Sequence, residues 1–315
     1  MHGEIPATFR IQLAVDGSEY SIAATELVRD LLLPPGSEIT ILGVVTPGRP
    51  PDEDTLQAAI AKAEESLAGS DARTHVILLQ GHAAKKLIEY GSEHRPDLMV
   101  MGTKGKGLYA ILEIVLGGTA HQVFENARWP LLVARAPYRA LKRVLLTTDG
   151  SPASRQAAHY LAQFPFPEQT ELQVLHVKPL YPAMPEPAPG LQSPAQPIPF
   201  MASLMPGPAE LQYLSRHLDL ARQKGQTILA NTKKILQSSG RRVKTLLRKG
   251  DPAAEILEHS KAQDIDLIVA GPRGQKGMDA WGWDSVSQKL VHYANSSVLF
   301  VRSGWEDKDH EGDPM

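Results

Sequence analysis

The chain carries the same passage twice. IQLAVDGS at Ile11–Ser18 returns as VLLTTDGS at Val144–Ser151, with Asp16 and Asp149 133 positions apart. ITILGVV at Ile39–Val45 is answered by ELQVLHV at Glu171–Val177, with Val44 and Val177 again 133 apart. PDLMVMGTKG at Pro96–Gly105 is answered by IDLIVAGPRG at Ile265–Gly274, now at 169, and WPLLVAR at Trp129–Arg135 by SSVLFVR at Ser296–Arg302, at 167. Four matched segments in one order mark a duplication. Whatever fold one copy adopts, the other must adopt too, so the 315 residues divide into domains at about 1–137 and 138–304, with an acidic tail at 305–315.

Within each copy, short apolar runs alternate with amphipathic stretches. In the first, the pattern predicts strands near 10–16, 38–45, 73–80, 97–101 and 130–135, and helices near 19–32, 53–68, 83–94 and 117–126. The strands are continuously apolar, as parallel strands covered on both faces must be. Strand–helix alternation with short links gives a doubly wound α/β domain through right-handed crossovers. The fold class is therefore α/β, two tandem domains with helices on both faces of each sheet.

The second copy holds 36 additional residues, between Val177 and Gly271. From Pro179 to Pro208 ten of thirty residues are proline, which excludes helix or central strand and predicts an extended surface arm. A helix is expected next, over about 209–239. Its stripe Leu211, Leu214, Leu218, Ala221, Gly225, Ile228, Thr232 and Ile235 suits either its own sheet or a docking surface.

Bulk properties exclude several functions. A net charge of -2 gives no electrostatic reason to expect nucleic acid or an anionic membrane. Cysteine is absent, which removes disulfides, thiolate metal sites and a cysteine nucleophile. No apolar run approaches a membrane span and Met1–Arg10 does not read as a secretory signal, so the expected location is cytoplasmic. The 11 histidines show no metal-ligand spacing, and neither a P-loop nor a nucleophile elbow occurs. No catalytic residue is expected, and no general base is identifiable.

In a parallel doubly wound sheet, ligands sit at the carboxyl ends of the strands. Three pieces of each copy fall there: Asp16-Gly17 (Asp149 in the second copy), the end of the second strand at Val44 (Val177), and a glycine loop opening onto a helix. Glycine lets backbone N–H groups close on a phosphate.

Both halves resemble the universal stress protein family. The resemblance rests on the VDGS run, GDPAAEI at Gly250–Ile256 (weaker in GHAAKKLI at Gly81–Ile88), the D-L-[IM]-V-x-G strand and the following glycine loop. It covers nearly all of residues 8–303 outside the proline-rich arm, and it implies strand order 3-2-1-4-5 and pairing of the domains through their fifth strands. For one branch of the family it also implies ATP binding. Carried over, Asp16 and Val44, with Gly17 beside them, would border adenine and ribose. Gly102, Gly105, Gly107, Gly117, Gly118 and the Thr119 hydroxyl would hold phosphates, with Mg2+ or Mn2+ as the expected counter-ion.

Neither loop keeps the family spacing and chemistry together. The first is two residues longer within Gly102–Gly107 but retains its glycines, and Lys104 and Lys106 add positive charge. The second has the spacing Gly271, Gly274, then Asp284-Ser285, but Pro272 lacks an N–H and Asp284 puts a carboxylate in place of glycine. Two anions about 4 Å apart repel by roughly 4 kcal/mol at an effective dielectric near 20. Trp281 and Trp283 also fall in this loop. The expectation is a sensing or regulatory protein with one ATP site, in the first domain, and a degenerate second. The alternative is a nucleotide-free scaffold recruiting a protein partner through the long helix and arm. Association of two chains into a homodimer stays open.

Overall fold

A computed structural model of the chain describes residues 8–48, 52–104, 116–178, 208–271 and 285–302. The first repeat runs β1 (Arg10–Ala14), α1 (Glu19–Arg29), β2 (Glu38–Val45), α2 (Glu53–Leu67), β3 (Arg73–Gln80), α3 (Ala83–His94), β4 (Leu98–Gly102), α4 (Gly118–Asn126) and β5 (Leu131–Ala134). The second runs β6 (Arg143–Thr147), α5 (Pro152–Ala162), β7 (Glu171–Lys178), α6 (Pro208–Gln237), β8 (Val243–Lys249), α7 (Pro252–Ala262), β9 (Leu267–Ala270), α8 (Ser285–Tyr293) and β10 (Ser297–Phe300). Every strand and helix expected for the first repeat is present, with ends shifted by a few residues.

The largest shift is at α1, expected to reach residue 32. It stops at Arg29 with Asp30 as C-cap, because Pro34 and Pro35 cannot continue a helix and the intervening chain turns toward the other repeat. There the Leu32 N–H donates to the Pro165 carbonyl at 2.9 Å.

All ten strands lie in one sheet, ordered β3-β2-β1-β4-β5-β10-β9-β6-β7-β8. Pairing is parallel within each repeat and antiparallel where β5 meets β10, with Leu131, Leu132 and Val133 opposite Phe300, Leu299 and Val298. The core is continuous across this seam on both faces. One apolar layer, under α1, α2, α5 and α6, includes Leu132, Ala134, Leu299 and Val301; the other, under α3, α4, α7 and α8, includes Leu131, Val133, Val298 and Phe300.

Two arginines cross the seam in mirror fashion. Arg135, just past β5, donates to the carbonyls of Val291 (2.7 Å) and His292 (3.3 Å) at the end of α8. Arg302, just past β10, donates to those of Phe124 and Glu125 at the end of α4, both at 3.4 Å. Each cation thereby meets the negative end of a helix in the other repeat. Burial lowers both guanidinium pKa values to about 10, still charged at neutral pH. On the α1 side, Phe9 meets Phe164 edge-on at 6.1 Å, the Tyr160 hydroxyl donates to the Asp97 carbonyl, and Tyr138 donates to Asp30.

Two outcomes follow from the seam. Phe300 is fully buried against Phe124, ring centroids 4.8 Å apart, so Phe300→Ala should cost about 3–5 kcal/mol in chemical denaturation. The second concerns pH. The rings of His121 and His292 face each other at 5.9 Å, and burial, then His121 and Arg135, lower the His292 pKa below 6.5. A depressed folded-state pKa means that the unfolded chain takes the proton first. Stability should therefore hold above pH 6.5 and fall below it, and His292→Gln should flatten that fall in denaturation midpoints measured from pH 7.5 to 5.

Candidate functional site

The register sets the two aspartates at matching places. Ala14 pairs with Leu42 and the Val15 N–H donates to the Leu42 carbonyl, so continuing the register brings Asp16 level with Val44. Thr147 pairs with Leu175, which brings Asp149 level with Val177. Gly17 and Gly150 turn the chain there with φ of 74° and 79°, a conformation that a side chain would strain. Each turn is locked by its aspartate: Asp16 Oδ1 accepts from the Ser18 N–H and hydroxyl, and Asp149 Oδ1 from the Ser151 N–H. The serines then cap α1 and α5 by accepting from the N–H of Ser21 and Ser154.

In the first repeat the Ser18 hydroxyl also lies 3.2 Å from the Lys104 carbonyl, joining the β1 turn to the chain leaving β4. The Gly117 N–H donates to the Thr103 carbonyl at 2.9 Å, so the chain returns from its excursion beside its point of departure. α4 starts at once, with Gly117 as N-cap and no side-chain cap bond. Its first turn leaves N–H groups without intrahelical acceptors, the geometry that receives an anion. A Cβ on Gly118 would meet nothing within 4 Å. Asp16, Gly17, Val44, Gly117, Gly118 and Thr119 thus share the carboxyl edge of β1, β2 and β4. Gly105, Gly107, Gly274 and Asp284 lie outside the described residues, as do Lys106, Pro272, Trp281 and Trp283.

Two sequence expectations need different physical reasons. Gly102 was assigned to phosphate, yet a Cβ there would stand 2.6 Å from Tyr20 Cβ and 2.8 Å from the Tyr20 carbonyl carbon, so glycine is required for α1 to pack on β4. Lys104 is 4% exposed, with its ammonium 5.8 Å from the Tyr20 ring centroid, and so is not an open charge beside the loop.

The second repeat differs in a way the loop sequence did not indicate. α2 and α6 bury matching positions at an offset of 169: Leu56, Ile60, Ala63 and Leu67 against Gly225, Leu229, Thr232 and Leu236. In α2, Leu56 and Ile60 lie over Gly43; in α6, Gly225 lies over the ring of His176, which stands where the first repeat has Gly43. Bulk has changed sides. The His176 Nδ1–H donates to the Thr148 carbonyl at 2.7 Å, tying β7 to the end of β6. One turn on, Ile228 covers Gly150, with a Cβ there 2.6 Å from Ile228 Cγ1. The start of α2 matches Arg222, whereas α6 begins at Pro208, so fourteen helical residues precede the shared part. At 1.5 Å per residue they extend about 20 Å past the carboxyl edge of the sheet. The shared part of the long helix packs on its own sheet, through β7, β8 and α5; for the extra turns both readings stand, since no residue described among them is buried. The signal that could have exposed the exchange was present: Gly43 against His176, and Leu56 against Gly225.

A separate groove of about 740 Å3 follows the residues that join β5 to β6, bordered by Tyr20, Arg135, Tyr138, Lys261, His292 and Tyr293. Among the described residues no group of three or more His, Asp or Glu could hold a metal ion, and no helix is long and apolar enough to cross a membrane.

Comparison with known proteins bears on both repeats. The universal stress protein family model matches residues 8–135 and again 140–302. Universal stress protein YxiE of Bacillus subtilis (strain 168) is 28% identical over 165 residues, 51% of this chain and 98% of that protein. A universal stress protein of Mycolicibacterium smegmatis is 24% identical over 259 residues, 79% of this chain and 78% of its own. Among solved structures, a universal stress protein from Archaeoglobus fulgidus DSM 4304 covers 94% of this chain and 98% of its own at TM-score 0.57 and 18% identity. One from Pseudomonas aeruginosa UCBPP-PA14 covers 93% and 92% at TM-score 0.60 and 12% identity.

The packing at Gly102 is directly testable. Gly102→Ala should cost about 1–3 kcal/mol in thermal or chemical denaturation, since the added methyl meets backbone that cannot yield.

Proposed function

The chain belongs to the universal stress protein family, in tandem form, and from that premise we propose that its first repeat binds one adenine nucleotide, ATP, in a sensing or regulatory role rather than a catalytic one. One observation carries the reading: the first repeat has the exposed start of α4, the Asp16-Gly17 turn and Val44 on one edge, while in the second Ile228 of α6 sits against Gly150.

The residues present fit such a ligand. Asp16, half-buried at the cleft, would accept hydrogen bonds from ribose hydroxyls, and Val44 supplies an apolar wall for the base. The N–H groups at Gly118 and Thr119 and the Thr119 hydroxyl would hold the phosphates, where the helix dipole favours negative charge. A divalent ion, Mg2+ or Mn2+, would arrive with the nucleotide and neutralise part of its charge. The seam of β5 and β10 gives each chain its own family-type pairing of two domains.

Titration calorimetry with Mg-ATP tests the reading: one site per chain is expected, and the absence of both heat and thermal shift at millimolar ligand would overturn it. Gly117→Asp sharpens the test. Gly117 holds the backbone of an ordinary N-cap, φ -63° and ψ 150°, which aspartate adopts readily. The variant should fold with equal or slightly higher stability while its carboxylate repels the phosphates and abolishes binding.

A further inference from the structure

The groove along the residues that join β5 to β6 has two buried serines in its lining, Ser260 near the end of α7 and Ser296 just before β10, 4% and 7% exposed. Their hydroxyls lie 2.6 Å apart, and that of Ser296 also donates to the Ile265 carbonyl at 2.6 Å, so both are held in place. Their counterparts in the first repeat are Gly91, at the offset of 169 that matches the buried positions of α3 and α7, and Trp129, at 167. There the indole is buried directly on the glycine, where a Cβ would stand 2.3 Å from Cζ2 of the ring. The second repeat thus has a hydroxymethyl group in place of an indole, and the groove is lined by that smaller pair.

The charges of the lining are unequally matched. Asp266 Oδ2 accepts from the backbone N–H groups of Lys142 and Arg143 at 2.9 and 2.8 Å, and Asp264 lies 3.8 Å from the Arg143 guanidinium. The cations are less engaged. Arg135, which is half-buried, spends Nη2 on the α8 carbonyls, whereas its Nη1 and Nε have no hydrogen-bond partner and no carboxylate pairs with it. Neither atom is fully buried, so both reach solvent. Arg139 and Lys261 are exposed and have no ion pair among the described residues, and Glu258 is the one lining carboxylate in the same condition. Positive charge therefore prevails, and a guanidinium with two unused nitrogens is a fork shaped for an oxyanion.

We propose that this groove is a ligand site separate from the nucleotide edge, for a small aromatic oxyanion, a carboxylate or a phosphate ester, gripped by Arg135 with Arg139 and Lys261 beside it. A volume of about 740 Å3 is ample for one substituted ring. Tyr138 and Tyr293 provide aromatic surface for it: the Tyr138 hydroxyl is tied to Asp30 at 2.8 Å, which anchors that ring, and Tyr293 is 60% exposed at the end of α8. Because Arg135 also crosses the seam, an occupant bound to it holds the two repeats together and raises the melting temperature.

The test titrates the full chain with benzoate, phenyl phosphate and, as a cationic counterpart, benzylamine, read by calorimetry and by saturation-transfer NMR. At least one of the two anions should bind and benzylamine should not; the tighter anion identifies the head group. Gly117→Asp, which alters the nucleotide edge, should bind the anion as the wild type does. Ser260→Gly with Ser296→Trp copies a pair that already packs in the first repeat, and this double variant should melt cooperatively and lose the anion. Arg135→Lys keeps a charge without the fork, and Lys261→Gln removes an exposed charge away from the seam; each should weaken binding about tenfold. The proposal is overturned if neither anion shows saturation transfer with the wild type, if benzylamine binds as tightly as the anions, or if Gly117→Asp loses the anion. It is equally overturned if affinity is unchanged in both Arg135→Lys and Lys261→Gln, whatever the folding of the double variant.

Discussion

The antiparallel contact of β5 with β10 organises the molecule. Each strand is four residues long, and every one of those residues is buried, Leu131–Ala134 on one side and Ser297–Phe300 on the other. A strand of this composition left at a sheet edge would present unpaired backbone and apolar side chains on both faces, which is a template for aggregation. Pairing the two removes both edges together and merges four half-cores into two continuous layers. Ser297 takes part as well, its hydroxyl accepting from the Arg135 N–H at 3.1 Å. The arginines work on the same boundary. Burying a guanidinium is costly, and the last carbonyls of a helix are among the few neutral partners that offset the cost, through both hydrogen bonds and the helix dipole. Each repeat therefore supplies the cap that the other's fourth helix lacks.

This seam has a near-twofold character that the rest of the chain does not maintain. The 36 additional residues enter between β7 and the shared part of α6, far from the seam, where a helix can lengthen without disturbing β10. Gly225 permits the approach, and His176 fills the space that Leu56 fills in the first repeat. The asymmetry is thus a matter of which element, helix or strand, supplies the bulk over one half of the sheet.

Sequence reasoning reached the elements and their order because short, largely apolar runs alternate with amphipathic stretches; four helices also begin at side-chain caps, Ser18, Asp52, Ser151 and Asp251. It also separated the repeats into one that keeps its glycines and one that does not. What it could not supply was depth. Helical periodicity says which face of α6 is buried but not how close that face lies to the sheet, and a stripe containing Gly225 and Ile228 is compatible with several distances. The glycine at 102 shows the same limit: the residue type reports that something approaches closely, and only coordinates identify the Tyr20 backbone there. The four matched segments pair Gly43 with His176 at an offset of 133 but do not show on which side of the insertion α6 belongs, so Leu56 has no assigned partner in Gly225 without the coordinates.

Helix α4 links the site to the seam. It is nine residues, about 13 Å, long. Its N-terminus stands at the carboxyl edge of the first sheet, and its C-terminal carbonyls receive Arg302 from the second repeat. An anion at one end of a helix and a cation at the other favour the same dipole, so their contributions have the same sign. Arg302 therefore fixes the helix against the seam and supports the electrostatics of its far end at once. α8 receives the same treatment from Arg135, and Ile228 sits against Gly150 at the turn across the sheet. The support is symmetric, so what distinguishes the two repeats is the helix packed over the sheet, α2 or α6, rather than the framework beneath it.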